Sequence, residues 1–221
     1  TPGAFQQFIG VDDQRAKKID SLRYVIFGGD ALNIEILRPW WKNHADNKPL
    51  LVNMYGITET TVHVTYGALS KKNLAEANVG LIGKQIKDLQ AYILDKNHNV
   101  CPIGAPGELY LGGAGVARGY LNQEELTKER FISNPFAKEL GLSESDRIYK
   151  TGDLVRWLPD GNIEYLGRTD FQVKIRGFRI ELGEIENVLA KHKSISQVSV
   201  IDKEKEGQKY LAAFYVIAKD K

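Results

Sequence analysis

Hydrophobic and polar residues alternate with two different periods along the chain, and these periods predict which segments are strands and which are helices. Residues 22–27 and 50–53 are short runs of aliphatic and aromatic residues that predict two strands. Between them, residues 33–45 carry apolar side chains at the spacing of a helix. Strand, helix and strand in this order predict a βαβ unit and therefore a parallel sheet, in which ligands bind at the carboxyl ends of the strands.

The middle and the end of the chain have different patterns. Glycines are most frequent between residues 101 and 183, where they predict strands joined by tight turns. We predict strands at 91–94, 108–111, 154–158 and 162–166, a turn at 159–161 and a short helix at 127–132. Beyond Arg168, a strand at 171–175, a helix at 183–191 and strands at 197–201 and 211–217 predict the start of a small βαββ unit. The chain is therefore predicted to be a mixed α/β protein with an α+β end.

Composition narrows the possible functions. The 221 residues are 43% hydrophobic and 26% charged, which is typical of a globular protein. The net charge of +2 argues against a nucleic-acid partner, and no run of about 18 apolar residues predicts a membrane span. The single cysteine, Cys101, excludes a disulfide framework and a cysteine-based zinc site. It suits a small core residue in a reducing, cytoplasmic protein.

Residues 53–59, which follow the second predicted strand, combine several groups that bind nucleotides. Asn53 offers an amide for a base edge, Tyr55 a ring that stacks on it, and Thr58 a hydroxyl for a phosphate. Glu59 offers a carboxylate of the kind that Mg²⁺ prefers together with phosphate oxygens. The alternative interpretation is an ordinary polar loop after a strand.

Three later motifs have structural as well as functional interpretations. Residues 107–120 contain Gly-x-Gly, but no helix is predicted directly after it, so we assign its glycines to a strand, a bulge and a turn. Asp153, within 149–154, either chelates a ribose diol or caps a turn. The charges of residues 167–186, taken alone, predict a solvated face with local ion pairs.

Taken in order, these four motifs resemble those of the adenylation domains of non-ribosomal peptide synthetases, in the acyl-adenylate-forming superfamily that includes acyl-CoA synthetases and luciferases. The resemblance covers essentially the whole chain, and the run 167–186 is its most specific part. It implies that residues 1–169 are the later part of a large subdomain, with a parallel α/β sheet in 1–80 and a β-rich portion in 81–169. Residues 170–221 would be the hinge and the incomplete start of a small α+β subdomain.

The resemblance also implies roles for individual residues. Those expected around ATP are Asn53 at the adenine amino group, Tyr55 on the base, Gly56 in the same loop, Thr58 at the phosphate, Glu59 at Mg²⁺, Asp153 at the ribose hydroxyls, Tyr165 against the nucleoside and Arg168 near the ribose and phosphate. Thr58, Glu59 and Arg168 are the expected catalytic residues. Asp170 matches the hinge, and residues 174–177 match a loop that swings toward the pantetheine channel. Ile57 departs from the proline that is usual in the family, which should stiffen the loop less.

The amino-acid pocket follows from the same resemblance. Its expected residues are Ile26, Gly28, Met54, Val62 and His63. This set is similar to the family's threonine-selecting pattern, and the His63 imidazole can bond a hydroxyl within otherwise apolar walls. We therefore expect L-threonine as the substrate, although Ile26 and Val62 also suit core positions at strand ends.

The implied activity has two steps. ATP activates an amino acid as aminoacyl-AMP with the help of Mg²⁺, and the acyl group then passes to the phosphopantetheine thiol of a peptidyl carrier protein domain. Other synthetase domains are expected partners, and no nucleic acid or membrane is. The rivals are an acyl- or aryl-CoA ligase and a non-catalytic piece that binds nucleotide or a partner.

Two parts of the family's pattern are not found in the chain. They are the Ser/Thr/Gly-rich phosphate loop with the aspartate that holds the substrate amino group, and a late lysine. We therefore expect the chain to be a fragment that is inactive by itself.

Overall fold

The computed structural model describes residues 1–17, 19–75, 80–143, 146–205 and 208–218. It divides the chain into two units, Thr1–Thr169 and Asp170–Lys221. Within the described residues, no helix is both long enough and apolar enough to cross a membrane.

The first unit begins with helices that alternate with strands and continues with longer antiparallel strands. Its helical segments are α1 (Pro2–Asp13), a 3₁₀ helix (Ile34–Leu37), α2 (Arg38–Asn43), a second 3₁₀ helix (Thr58–Thr60), α3 (Lys71–Ala75) and α4 (Glu124–Arg130). Its strands are β1 (Tyr24–Phe27), β2 (Leu50–Asn53), β3 (Thr65–Leu69), β4 (Leu81–Gln85), β5 (Leu89–Leu94), β6 (Gly107–Gly113), β7 (Phe131–Ser133), β8 (Arg147–Trp157) and β9 (Ile163–Arg168).

The strands of this unit join in one mixed sheet. β1 and β2 are parallel, with Phe27 opposite Asn53, as the βαβ pattern predicts. The expected parallel sheet does not extend further, because the next pairs, in the order β2–β3–β4–β9–β8–β6–β5, are antiparallel. The loop 54–64 between β2 and β3 is too short for the crossover that a parallel partner needs.

Two clusters of buried side chains support the loop 54–64. In one, Phe5 of α1 packs on Phe27 of β1 and Trp40 of α2. In the other, Tyr55 lies with Cys101, which is buried as predicted, and with residues of the antiparallel strands. Burying an aromatic side chain contributes about 1.5–3 kcal/mol. The first residues of the loop are therefore anchored in the core.

Two predicted helices differ from the observed ones. The segment 33–45 is helical, but it begins as a 3₁₀ helix that Asn33 caps by accepting the Glu35 N–H at 3.0 Å. The predicted helix 127–132 ends instead at Arg130, because Phe131 pairs with Tyr149 of β8 and is buried. Tertiary strand pairing overrides local periodicity there.

The second unit contains two hairpins and a helix. β10 (Gln172–Ile175) pairs with β11 (Phe178–Glu181), α5 spans Leu182–Leu189, and β12 (Ile195–Lys205) pairs with β13 (Gln208–Ile217). The sequence pattern missed β11, so the observed order is ββαββ rather than βαββ. Arg176 and Gly177 form the two-residue turn of the first hairpin with φ of 54° and 83°, which is the turn type whose twist suits a tight hairpin.

Candidate active site

The loop 54–64 starts at the carboxyl ends of the parallel strands β1 and β2. The Met54 N–H donates to the carbonyl of Phe27 at 2.9 Å, which continues the strand pairing into the loop. The N–H of Val64 returns to the carbonyl of Tyr55 at 2.8 Å, so the loop closes on its own first turn. The predicted location of a ligand site therefore holds a short, closed loop rather than an open connection.

Gly56 is required by the way this loop folds. A Cβ atom at this position would lie 1.8 Å from the carbonyl oxygen of Val62, and 2.9 Å from the Cα of His63. No side chain fits between backbones at that distance. Gly56 therefore allows the returning residues 62–63 to pass directly over the start of the loop.

The returning strand of the loop is strained. Thr61 and Val62 have φ of 58° and 74°, which β-branched residues rarely adopt. The His63 N–H donates to the carbonyl of Thr61 at 3.0 Å, so Val62 is the central residue of a γ-turn with positive φ. Such strain persists only where the surrounding structure over-determines the conformation.

Asp153 lies next to Tyr55, although 98 residues separate them in the sequence. The Tyr55 hydroxyl donates a short hydrogen bond to Oδ2 of Asp153, and Nη1 of Arg168 donates to Oδ1 at 2.7 Å. Asp153 is 0% exposed and lies inside β8, so the alternative that it caps a turn is wrong. Three residues that the sequence assigned to the nucleoside thus meet at one buried carboxylate.

The Tyr55 hydroxyl remains protonated in this environment. Burial, and after it the negative charge of Asp153, raises the pKa of Tyr55 well above its ordinary value. The neutral phenol therefore donates to the carboxylate, while the Arg168 guanidinium supplies the compensating charge that a buried carboxylate needs.

The other predicted nucleoside residues lie at the same strands with different partners. The side-chain amide of Asn53 is buried and donates to the carbonyl of Leu81 at 2.7 Å. Tyr165 of β9 is partly buried against the second core cluster, and its N–H donates to the carbonyl of Gly80 at 2.8 Å. The Tyr165 side chain therefore borders the cluster that contains Tyr55, and the Asn53 amide is held by β4.

Glu59 points away from the solvent. The residue is 7% exposed, whereas Thr58 beside it is exposed. Oε1 of Glu59 accepts hydrogen bonds from the hydroxyls of Tyr120 at 2.7 Å and Tyr149 at 3.1 Å. The predicted metal ligand therefore lies between two tyrosines, to which the sequence analysis gave no role.

A signal for the two tyrosines was present in the sequence. Tyr120 ends the motif 107–120, whose strand, bulge and turn are confirmed by β6 and its register shift after Glu108. Tyr149 begins the motif 149–154. Both motifs were recognised, but their spacing alone does not show that their tyrosines converge on Glu59.

The carboxylate of Glu59 fits a magnesium ion by its chemistry. Mg²⁺ is usually bound by one or two carboxylates together with substrate phosphates and water. A carboxylate has about four acceptor positions, and the two tyrosine hydroxyls use part of this capacity. Glu59, with the Thr58 hydroxyl beside it, is thus a suitable single-carboxylate ligand.

Three residues of the predicted amino-acid pocket meet where the loop joins β1 and β2. A Cβ on Gly28 would be 3.5 Å from both Cε1 of His63 and the carbonyl oxygen of Met54, so these three residues are neighbours. Nδ1 of His63 is buried and has no hydrogen-bond partner within the part of the chain that the structure describes. Ile26 and Val62 are 57% and 61% exposed, which overturns the idea that they are core positions.

Asp170 is the first residue of the second unit. Its Oδ1 accepts the N–H of Gln172 at 3.1 Å, which is a local turn-stabilising bond. Residues 174–177 form the end of β10 and the turn of its hairpin. The hinge role of Asp170 stays a prediction.

A comparison with protein families identifies the first half of the chain. The family model described as AMP-binding enzyme matches residues 1–121. The chain belongs to this family. The matched residues include the loop 54–64 and Tyr120, but they end before Asp153.

Curated relatives of this chain include a synthetase and a nonribosomal peptide synthase. Malpinin synthetase of Mortierella alpina is 50% identical over 98% of the chain, which corresponds to 3% of that protein. The dimodular nonribosomal peptide synthase of Bacillus subtilis (strain 168) is 48% identical over 98% of the chain and 9% of its own length. The chain thus spans less than a tenth of either relative.

A solved structure extends the likeness to the whole chain. An artificially fused adenylation–PCP di-domain of a synthetase from Klebsiella oxytoca has a TM-score of 0.79 at 28% identity, over 99% of this chain and 38% of that one. The resemblance to peptide-synthetase adenylation domains that the motifs predicted is therefore confirmed.

Proposed function

We propose that the enzyme containing this chain activates L-threonine with ATP as threonyl-AMP and transfers the threonyl group to the phosphopantetheine thiol of a peptidyl carrier protein domain. The observation that carries the proposal is the meeting of Tyr55, Asp153 and Arg168 at one buried carboxylate beside the carboxyl end of β2. The membership in the AMP-binding family and the similarity to peptide synthetases support it.

In the first step, the threonine carboxylate attacks the α-phosphorus of ATP, and pyrophosphate leaves with the electrons of the broken P–O bond. A ribose hydroxyl would replace the Tyr55 hydroxyl on Asp153, because a neutral donor in a buried site is exchanged for another neutral donor. The Tyr55 ring would then be released to pack on the base. Asn53 would orient the adenine, and Arg168 would hold the charge near the ribose and phosphate.

Glu59 would hold Mg²⁺, which when bound reduces the negative charge of the triphosphate. Thr58 is exposed at the start of the 3₁₀ turn, where its hydroxyl is available to a phosphate oxygen. These two roles agree with the local fold, because the 3₁₀ turn directs the Glu59 side chain inward and leaves Thr58 exposed.

The preference for threonine rests on the His63 imidazole. Nδ1 is buried without a partner and the ring borders the space in front of Gly28. An unpaired buried polar atom is unfavourable by about 1–3 kcal/mol. A substrate hydroxyl would pair with it, so threonine is favoured over valine, which has the same shape without the hydroxyl.

The nucleoside site is tested by Asp153→Asn in the full-length enzyme, with Asp160→Asn as the matched control. Asp160 is exposed in the turn before β9, where it accepts the Asn162 N–H. Threonine-dependent ATP–pyrophosphate exchange should lose at least about 10-fold in kcat/KM for ATP with Asp153→Asn. The control should stay within twofold of the wild type. An equal and small effect of both changes would remove Asp153 from the site.

The metal site is tested by Glu59→Gln. Loss of a charge contact that acts in the transition state should lower the exchange rate on the order of 100-fold or more. Exchange within a factor of two of the wild type would contradict the role of Glu59. If the enzyme is instead a CoA ligase, it should release an acyl-CoA without any dependence on threonine. If the protein only binds nucleotide, calorimetry should show binding of ATP or of a stable threonyl-adenylate analogue without any exchange activity.

The second step is proposed to involve a rotation about Asp170. Proline fixes φ near −65° and restricts the residue before it, so Asp170→Pro should retain adenylation while transfer to the carrier is lost. Asp170→Asn keeps an acceptor for the Gln172 N–H and is the control. Pyrophosphate exchange and carrier loading are measured on the same preparation. Parallel losses of both steps, or no loss of either, would contradict the hinge.

A further inference from the structure

The Glu59 carboxylate is one corner of a closed triangle of oxygen atoms. Oε1 accepts from the Tyr120 hydroxyl at 2.7 Å and from the Tyr149 hydroxyl at 3.1 Å, and the two hydroxyl oxygens are themselves 3.1 Å apart. The three residues come from the loop 54–64, from the segment after β6 and from β8. Side chains from three separate segments therefore fix one oxygen atom.

The shortest side of this triangle is the hydrogen bond from the Tyr120 hydroxyl to Oε1 of Glu59. A protonated phenol has a single hydrogen to donate. The shorter contact to Glu59 is therefore a donated, charge-assisted bond, which is stronger than a bond between neutral groups.

Further hydrogen bonds, most of them to backbone carbonyls, also join the segment that carries Tyr120 to the loop that carries Glu59. The Ala117 N–H donates to the carbonyl of Glu59 at 2.8 Å, and the Thr61 hydroxyl donates to the carbonyl of Gly115 at 2.8 Å. The Arg147 guanidinium then holds the carbonyl of Arg118 at 3.0 Å. The segment 115–120 is thus attached to the carbonyl of Glu59 and to Thr61 directly after the 3₁₀ turn, and through Arg147 to β8.

The tyrosine rings are held independently of their hydroxyls. The ring of Phe131 lies 5.5 Å from that of Tyr120 and 4.9 Å from that of Tyr149, between centroids. Ile57 belongs to the same apolar cluster, at a φ of −140° that a proline could not adopt. Removing either hydroxyl should therefore leave the ring in its place.

We propose that Tyr120 and Tyr149 are positioning residues that orient the Glu59 carboxylate for the magnesium–nucleotide complex. The inference rests on the proposed function and adds two residues to it. A ligand that is already oriented requires no rearrangement when charge develops in the reaction, whereas a freely rotating carboxylate does. The segment 115–120 thereby acquires a functional role in addition to its turn structure.

The test compares Tyr120→Phe and Tyr149→Phe with Tyr92→Phe in the full-length enzyme. The Tyr92 hydroxyl also donates to a side-chain oxygen, that of Gln90 at 3.0 Å, and accepts from the Asn134 amide at 3.2 Å, so both of these partners lie outside the loop 54–64. Two quantities are measured: the Mg²⁺ dependence of threonine-dependent pyrophosphate exchange, and the Kd of Mg²⁺ in the presence of a non-hydrolysable ATP analogue by calorimetry. Circular dichroism checks that each variant is folded.

We expect Tyr120→Phe to raise the Kd of Mg²⁺ about 10-fold and to lower kcat, with little change in KM for threonine. Tyr149→Phe should have the same but smaller effect because its contact is longer, and Tyr92→Phe should have none. A merely structural role would lower the stability of Tyr120→Phe without changing the Kd of Mg²⁺, and this result would overturn the inference.

Parallel measurement of Glu59→Gln distinguishes failure of the inference from failure of the proposed function. If Glu59→Gln is inactive while both phenylalanine variants bind Mg²⁺ normally, only the positioning role is wrong. If Glu59→Gln is fully active, the metal role of Glu59 and the positioning role are both wrong. Should Tyr120→Phe not fold, normal Mg²⁺ binding and kcat in Tyr149→Phe would overturn the proposal.

Discussion

The two sides of the loop 54–64 differ in how many partners their polar groups have within the protein. On the nucleotide side, the carboxylates of Asp153 and Glu59 accept hydrogen bonds from Arg168 and from three tyrosines. On the pocket side, Nδ1 of His63 is buried with no partner among the residues that the structure describes, and Ile26 and Val62 are exposed. The carboxylates of the first side receive their hydrogen bonds from the protein itself, whereas Nδ1 of His63 on the second side can receive one from a ligand.

This difference suggests how the two sides bind their ligands. A fully bonded polar network accepts a ligand by exchanging one partner for another, as is proposed above for the ribose hydroxyl and the Tyr55 hydroxyl at Asp153. A site whose buried polar atom lacks a partner discriminates by that atom, because ligands without the matching group leave it unpaired. Selectivity for the amino acid is thus expected to depend on few residues.

A substitution at Gly56 should disrupt both the nucleotide side and the pocket side of the loop. In Gly56→Ala the new Cβ would overlap the carbonyl of Val62, so the backbone of the loop must move. We expect a loss of about 3 kcal/mol in the free energy of unfolding and a loss of exchange activity. Urea denaturation of the purified variant measures the first quantity.

The matched control for this change is Gly10→Ala. A Cβ on Gly10 meets nothing within 4 Å, and the residue lies in the interior of α1. Alanine there should stabilise the protein by roughly 0.5–1 kcal/mol. If Gly56→Ala were as stable as Gly10→Ala, the close approach in the loop would be wrong.

A smaller effect, confined to the pocket side, is expected for His63→Ala. Removing the imidazole should lower the threonine-to-valine ratio of kcat/KM roughly 30-fold, which corresponds to about 2 kcal/mol, because the substrate hydroxyl loses its partner. KM for ATP should be unchanged, since the nucleotide side is untouched. His98→Ala, at an exposed turn, is the control. An unchanged ratio in His63→Ala would show that His63 does not contact the substrate.

The smallest effect is expected for Val62→Gly, which tests the strain in the loop. Glycine adopts a φ of 74° freely, so the variant should be about 1 kcal/mol more stable after the entropy of glycine is subtracted. Thermal unfolding measures the change. Val100→Gly, which is also exposed but lies outside the positive-φ positions, should instead lose stability. A loss in both variants would mean that Val62 is not strained.

Local patterns predicted much of the fold and part of the site. The parallel pair β1–β2, the antiparallel strands of the glycine-rich middle and helix α5 followed from periodicity and turn residues. The motif 53–59 identified the loop. The predictions that failed concerned segments whose structure depends on a distant partner: the extent of the parallel sheet, the strand at Phe131 and the strand β11.

The sequence by itself determined the residue types, their order and the resemblance that they carry, because these depend only on neighbours along the chain. It also determined that a glycine follows Tyr55, although not why. Only the tertiary structure decided that Tyr55 meets Asp153, that Tyr120 and Tyr149 meet Glu59, and that Nδ1 of His63 finds no partner among the described residues. Contacts between residues tens of positions apart are set by how strands pair and how the core packs, and no local period encodes them.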